Sequence, residues 1–193
     1  MTARILPYHA DRLRLHPVPP RLAPLFCLAL LTASCVLASF ALACATPFAA
    51  FAVLAAAMLP LRPALLVVMG AWLVNQSIGF GALHYPVDGG TMAWGLAMGA
   101  AALLATAVSS AVLRTLPQGR TALTLAVTLV AAYATYELAL LAVTPLLGGE
   151  GAFTAAIVTR IGLTSAAWLA GLVAACEIVR LADPLRRKEA MSA

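Results

Sequence analysis

Between Leu22 and Arg180 the chain is a succession of apolar blocks, most of them about as long as a bilayer is thick. Short breaks rich in proline, glycine and arginine separate them. A helix needs about 20 mainly apolar residues to cross the hydrocarbon core. Its backbone groups must pair within the segment, because lipid offers them nothing. The blocks therefore specify an all-α, polytopic membrane protein. Composition agrees: of 193 residues 63% are hydrophobic and 10% charged, against roughly 45–50% and about 25% in soluble domains. One soluble domain of this length has no interior large enough for that excess. A soluble enzyme, a nucleic-acid-binding domain and a disordered regulator are thereby excluded.

The first block, Leu22 to Leu59, is too long for one span and short for two. Thr46-Pro47 divides it, because proline lacks a backbone donor and the residue before it avoids the α region. Pro60, Pro63, the stretch His84 to Gly90, Pro117-Gln118-Gly119 and Gly148-Gly149-Glu150-Gly151 supply the other breaks. The expected helices cover 23–44, a shorter 47–60, 63–82, 91–113, 121–147 and 153–181, six transmembrane helices in one bundle. Residues 1–21 form an expected cytoplasmic arm, 22–182 the membrane domain and 183–193 a cytoplasmic tail.

Arginine and lysine mark cytoplasmic loops. With six spans and an inner N-terminus, 11 of the 12 basic residues fall inside, and the outer segments hold only Asp88 and Glu150. That places the chain in a plasma (inner) membrane with both termini cytoplasmic, and it explains the net charge of +5 without nucleic acid. The arm's charges are topology signals first and anionic-lipid contacts second. Its 22-residue helix and Arg-bearing lead are too long for a cleaved signal peptide. Cys27, Cys35, Cys44 and Cys176 all lie in apolar stretches, where thiols serve as small buried side chains.

Helices in lipid pack through small residues. Such pairs occur at Ala29/Ala33 and Ser34/Ala38, at Gly95/Gly99, at Gly162/Ala166 and at Ala167/Gly171. Most serve the bundle; the first helix, free of pore-like polar groups, is the candidate partner face through Ala29, Ala33 and Ala38. Trp94 and Tyr85 read as interfacial aromatics, Trp72 and Trp168 as core filling.

Two ionisable residues lie well inside spans, Glu137 and Arg160. A charge there costs about 2.5–3.5 kcal/mol, so a partner or a function must offset it. At 1.5 Å per residue they sit about 15 Å and 11 Å from the same end of adjacent antiparallel helices, close enough in depth to pair. Asn75 and Gln76 lie roughly 10 Å deep by the same rise. Tyr133 shares a face with Glu137, and Thr164 with Arg160. Glu177 and Arg180, near an inner helix end, pair at i, i+3.

Polar groups thus gather in the outer half of the bundle, where a binding cup open to the outside needs them. A channel would carry them along its full length. Residues 79–90, with His84, form an expected lid. Asn75, Gln76, His84, Tyr133, Glu137, Arg160 and Thr164 are the candidate substrate-binding residues, with Arg160 the first contact. The competing reading is a structural ion pair with amide hydrogen bonds, clamping three helices. No P-loop, metal-binding or haem motif is present, so no cofactor is expected and energy must come from a partner or a gradient. An enzyme acting on lipid-soluble substrates lacks a nucleophile or metal cluster in its favour.

In length, helix count, expected sidedness, an outward pocket under the outer loops and small-x-x-x-small packing on the first helix, the chain resembles the substrate-binding S-components of energy-coupling-factor vitamin transporters. The resemblance implies a partner face at Ala29, Ala33 and Ala38, a lid over 79–90, and a small-molecule substrate handed to an energising membrane subunit. The alternative is a membrane accessory or assembly subunit whose Glu137–Arg160 pair holds the fold. Cysteines introduced at 87 and 149 are expected to react with impermeant thiol reagents from outside, and those at 62 and 118 are not; reversed labelling would overturn the topology.

Overall fold

The computed structural model describes residues 15–42, 45–117 and 120–182. Most of the expected arm, the expected tail, Cys44, Gln118 and Gly119 lie outside the described residues. Among the described residues six α-helices follow one another: α1 (Ala23–Leu42), α2 (Phe48–Met58), α3 (Leu61–Ser77), α4 (Gly89–Thr115), α5 (Thr121–Leu147) and α6 (Ala155–Ala182). A π-helical turn, Ile78–Ala82, prolongs α3, and a 3-10 turn, Glu150–Phe153, precedes α6. α4 starts where Asp88 caps it, its side chain accepting from the Thr91 N–H at 2.8 Å and from the Thr91 hydroxyl at 3.0 Å. Those bonds hold the exposed Asp88 carboxyl below its usual range.

Among the described residues five helices are long and apolar enough to cross a membrane: α1, α3 with its π turn, α4, α5 and α6. The sixth expected span is not among them. α2 has 11 residues, about 16 Å of helix and roughly half the hydrocarbon thickness. It contains no polar residue, and none of its side chains is more than 6% exposed. A helix apolar on every face is one enclosed on every face. α2 is the axis of the bundle, packed on by all five other helices, most closely by α4 and α5. Because it meets protein and not lipid, it need not match the bilayer.

Contacts at the helix ends fix the direction of each pass. The Leu15 N–H donates to the Ala57 carbonyl at 3.2 Å, bringing the chain just before α1 to the C-terminal end of α2. Cys176 of α6 reaches Met58 there at 3.9 Å. Leu15 and Pro17 are buried, so the end of the expected arm is part of the bundle. At the opposite end, Asn75 of α3 binds Ser39 of α1 and Thr46 just before α2. α2 therefore carries the chain back, antiparallel to α1 and α3. Arg21, Arg62, Arg114, Arg120 and Arg180 fall at one end, the arginine end, and Asp88 and Glu150 at the other, the acidic end. Glu177 and Arg180 pair at 2.6 Å as their spacing predicts. Cys27, Cys35 and Cys176 are free and buried.

Small residues decide how closely α3 and α4 approach. A Cβ on Gly99 would lie 2.7 Å from the Trp72 ring, and one on Gly95 would strike the Gln76 amide. The Trp72 indole N–H in turn donates to the Gly95 carbonyl at 2.9 Å. Trp168 of α6 donates likewise to Ser34 of α1. The deep tryptophans thus tie helices together through their N–H groups as well as filling space. Gly171, by contrast, faces open space. Gly99→Ala is expected to lower stability in detergent by about 1–3 kcal/mol, as overpacking does. Gly171→Ala is expected to leave it unchanged or raise it by up to about 1 kcal/mol through helix propensity. Thermal unfolding of the two variants checks the pair.

Candidate functional site

α2 stops short of the acidic end, and the space beyond its first turn is not filled by another helix. Two cavities of about 260 Å³ each occupy that level. The first lies between α3 and α4, with Asn75, Gln76 and Tyr85 on its walls. The second lies among α4, α5 and α6, with Thr46 below and Tyr136, Glu137 and Phe153 around it. Trp94 and Met98 of α4 line both, so one face of α4 is the partition.

The polar groups of the first chamber are already engaged with one another. The Asn75 amide donates to the Ser39 hydroxyl at 3.1 Å and to the Thr46 hydroxyl at 2.9 Å, and its carbonyl accepts from Gln76 at 3.3 Å. One side chain thus ties α3 to α1 and to the entry of α2. The chamber is closed above by residues 79–85. The π turn places Gly79 under Tyr85, whose ring would be 2.8 Å from any Cβ there. The Tyr85 N–H returns to the Gly79 carbonyl at 3.0 Å. This is the segment expected as a lid, but His84 does not belong to the chamber: it is exposed, with φ at +55°, and lines neither cavity.

In the second chamber Glu137 is half-buried and is the one charged lining residue. Phe48, the first residue of α2, packs its ring on Tyr136 at 6.3 Å. The α2 N-terminus thus opens beneath the chamber, an end that favours negative charge. The 3-10 turn closes the far side. Gly149, at φ +95°, lays its backbone against the Trp94 ring, where a Cβ would be 3.3 Å away.

The expected Glu137–Arg160 ion pair does not form. Tyr133 donates to the Val158 carbonyl and lies against Gly162, so α5 and α6 do meet at this depth. The depth arithmetic holds and the faces differ: Ile157 and Ile161 point into the chamber, while Arg160 is exposed on the flank of α6. Among the described residues the one ion pair is Glu177–Arg180. Arg160 and Arg180 stand 20 positions apart, about 30 Å along the helix and equal to the hydrocarbon thickness. Arg160 is exposed, and its long side chain lets the guanidinium reach towards water. Thr164 lies elsewhere too, bonding the Arg160 carbonyl at 2.9 Å and lining a groove between α1 and α6. Tyr133 is a clamp between helices and lines neither chamber.

Of the seven candidate residues, then, Asn75 and Gln76 share one chamber and Glu137 lies in the other. The reading of the sequence missed the aromatic walls Tyr136 and Phe153 and the partition Trp94. Their spacing on α4, α5 and the loop before α6 carries no joint pattern, though Trp94 was visible as an end-of-span aromatic. On the partner face Ala29 and Ala33 are exposed, but Ala38 is fully buried inside the bundle and cannot touch another subunit.

Asn75→Ala is expected to cost about 1–3 kcal/mol in thermal unfolding, because two buried hydroxyls lose their shared donor. Arg160→Ala is expected to stay within about 0.5 kcal/mol. A double-mutant cycle on Glu137 and Arg160 is expected to show coupling near zero. Against known proteins, the chain matches no family model, no curated protein and no solved structure.

Proposed function

We propose that the chain is a substrate-binding subunit of a membrane transport system, receiving a small molecule in the two-chambered cup at its acidic end. One observation carries this reading: α2 is half-length, and the volume it leaves vacant is bordered by amide, carboxylate and aromatic groups. Towards the arginine end the axis is closed by α2 itself, a solid apolar rod with every side chain buried. The buried polar groups of α4 and α5 on that half are the hydroxyls of Thr106, Ser109, Ser110, Thr124 and Thr128, with no charged or amide group among them, which suits a receptor that hands its ligand on better than an ion channel. The acidic end is the outer end in this reading, by the bias of arginine towards cytoplasmic loops.

With no nucleotide-binding motif in the chain, such a receptor works with an energising membrane partner. The groove between α1 and α6, about 590 Å³ and lined by Ala33, Ser34, Ala167 and Gly171, is where a partner helix approaches most closely. The accessory-subunit alternative lacks the ion pair meant to hold the fold, while the Asn75 hydrogen bonds that clamp three segments remain in keeping with it.

Leu140→Cys, on the wall of the Glu137 chamber, is expected to react with a small impermeant thiol reagent added from the side that labels position 149. Val68→Cys, fully buried towards the arginine end, is expected to resist from both sides. A silent Leu140→Cys would remove the cup.

A further inference from the structure

The Glu137 chamber has a one-sided chemistry. It carries one carboxyl group and three aromatic rings, those of Trp94, Tyr136 and Phe153. No lysine or arginine lines either chamber. The arginine at this level, Arg160, is turned out along the flank of α6. The Tyr133 hydroxyl lies within hydrogen-bonding reach of both the Glu137 carboxyl and the Val158 carbonyl, and as a neutral group it brings Glu137 no positive charge. Thr46 and the α2 N-terminus contribute partial charges only. The carboxylate is therefore left without a full counter-charge from the described residues, in a half-buried position where an uncompensated charge is costly.

Aromatic faces around such a group are selective in what they accept. Their negative quadrupoles attract a cation within about 6 Å of the ring centre and repel an anion. Asp88 and Glu150, the charged residues at the rim of this end, add potential of the same sign and steer cations inward. At about 260 Å³ the chamber lies just under the range of drug-sized pockets, so its occupant is small.

We propose that this chamber recognises a small organic ammonium group, which pairs with Glu137 and rests against Trp94, Tyr136 and Phe153. The assignment rests on the cup reading above and reverses the charge expected of the ligand. With Arg160 as first contact the substrate would carry a carboxylate; with Glu137 it carries an ammonium.

The full chain in lipid nanodiscs provides the test, with choline as probe and its uncharged carbon isostere, 3,3-dimethylbutan-1-ol, as control. Choline is expected to bind saturably and at least tenfold more tightly than the alcohol. Glu137→Gln, equal in size and breaking no ion pair, is expected to lose at least tenfold in choline affinity at an unchanged melting temperature. Absence of choline binding, equal binding of the two probes, or full affinity in a folded Glu137→Gln protein would each overturn the assignment. A second measurement leaves Glu137 in place. The thiol of Leu140→Cys is expected to react at least tenfold faster with a cationic methanethiosulfonate than with an anionic one, after correction for their intrinsic rates. Equal rates for both reagents would overturn the ammonium site and keep the cup. Reaction with neither would overturn the cup as well.

Discussion

The bundle is organised by the enclosure of α2. An eleven-residue helix of alanine, phenylalanine, valine, leucine and methionine cannot face water, and it is too short to face lipid from one boundary to the other. Surrounded by protein it does neither. Five longer helices close around it, and its ends are secured where they would otherwise leave backbone groups bare. Leu59 returns to Ala55, Leu15 donates to Ala57, and Phe48 donates to the Thr46 carbonyl. Irregular backbone at membrane depth is tolerated where protein covers it. The same shortness that demands enclosure also creates the cup, because the axis is occupied over only part of its length.

Around that axis the helices hold together by two means that work in lipid, close approach and buried polar bonds. Gly95 and Gly99 admit Gln76 and Trp72 to the α4 backbone, while Asn75, Trp72, Trp168 and Tyr133 each reach across to another helix. These bonds are concentrated towards the acidic end, where α2 no longer supplies apolar contact. Helix cohesion and the polar cup draw on the same residues there, so Asn75 has a structural duty that depth alone did not reveal.

Much of this was legible in the sequence, for identifiable reasons. α5 begins and ends at the expected residues because Arg120 and Gly148 are unmistakable stops. The reversal at Thr46-Pro47 was readable from the proline. The number of spans was not, because apolar composition looks the same whether a helix is lined by lipid or by protein; the missing polar face of α2 and its length were the available clues. Depth along a helix follows from counting, and it correctly grouped Asn75, Gln76 and Glu137 at one level. Facing does not follow from counting alone. Successive residues turn by about 100°, and whether Ile157 or Arg160 faces α5 depends on how α6 is rotated against α2. The aromatic walls were invisible for a related reason: Trp94, Tyr136 and Phe153 converge only after three separate segments have packed.

The interval between Arg160 and Arg180 has a consequence for the physical setting of the cup. Two guanidiniums about 30 Å apart on one helix are spaced like the two faces of a hydrocarbon core. α6 rests chiefly on α2, and Tyr133 and Trp168 tie it to α5 and α1. It also contributes Ile157 and Ile161 to the Glu137 chamber. A bilayer thinner or thicker than that interval would favour a different tilt of α6, and with it a different shape of the chamber.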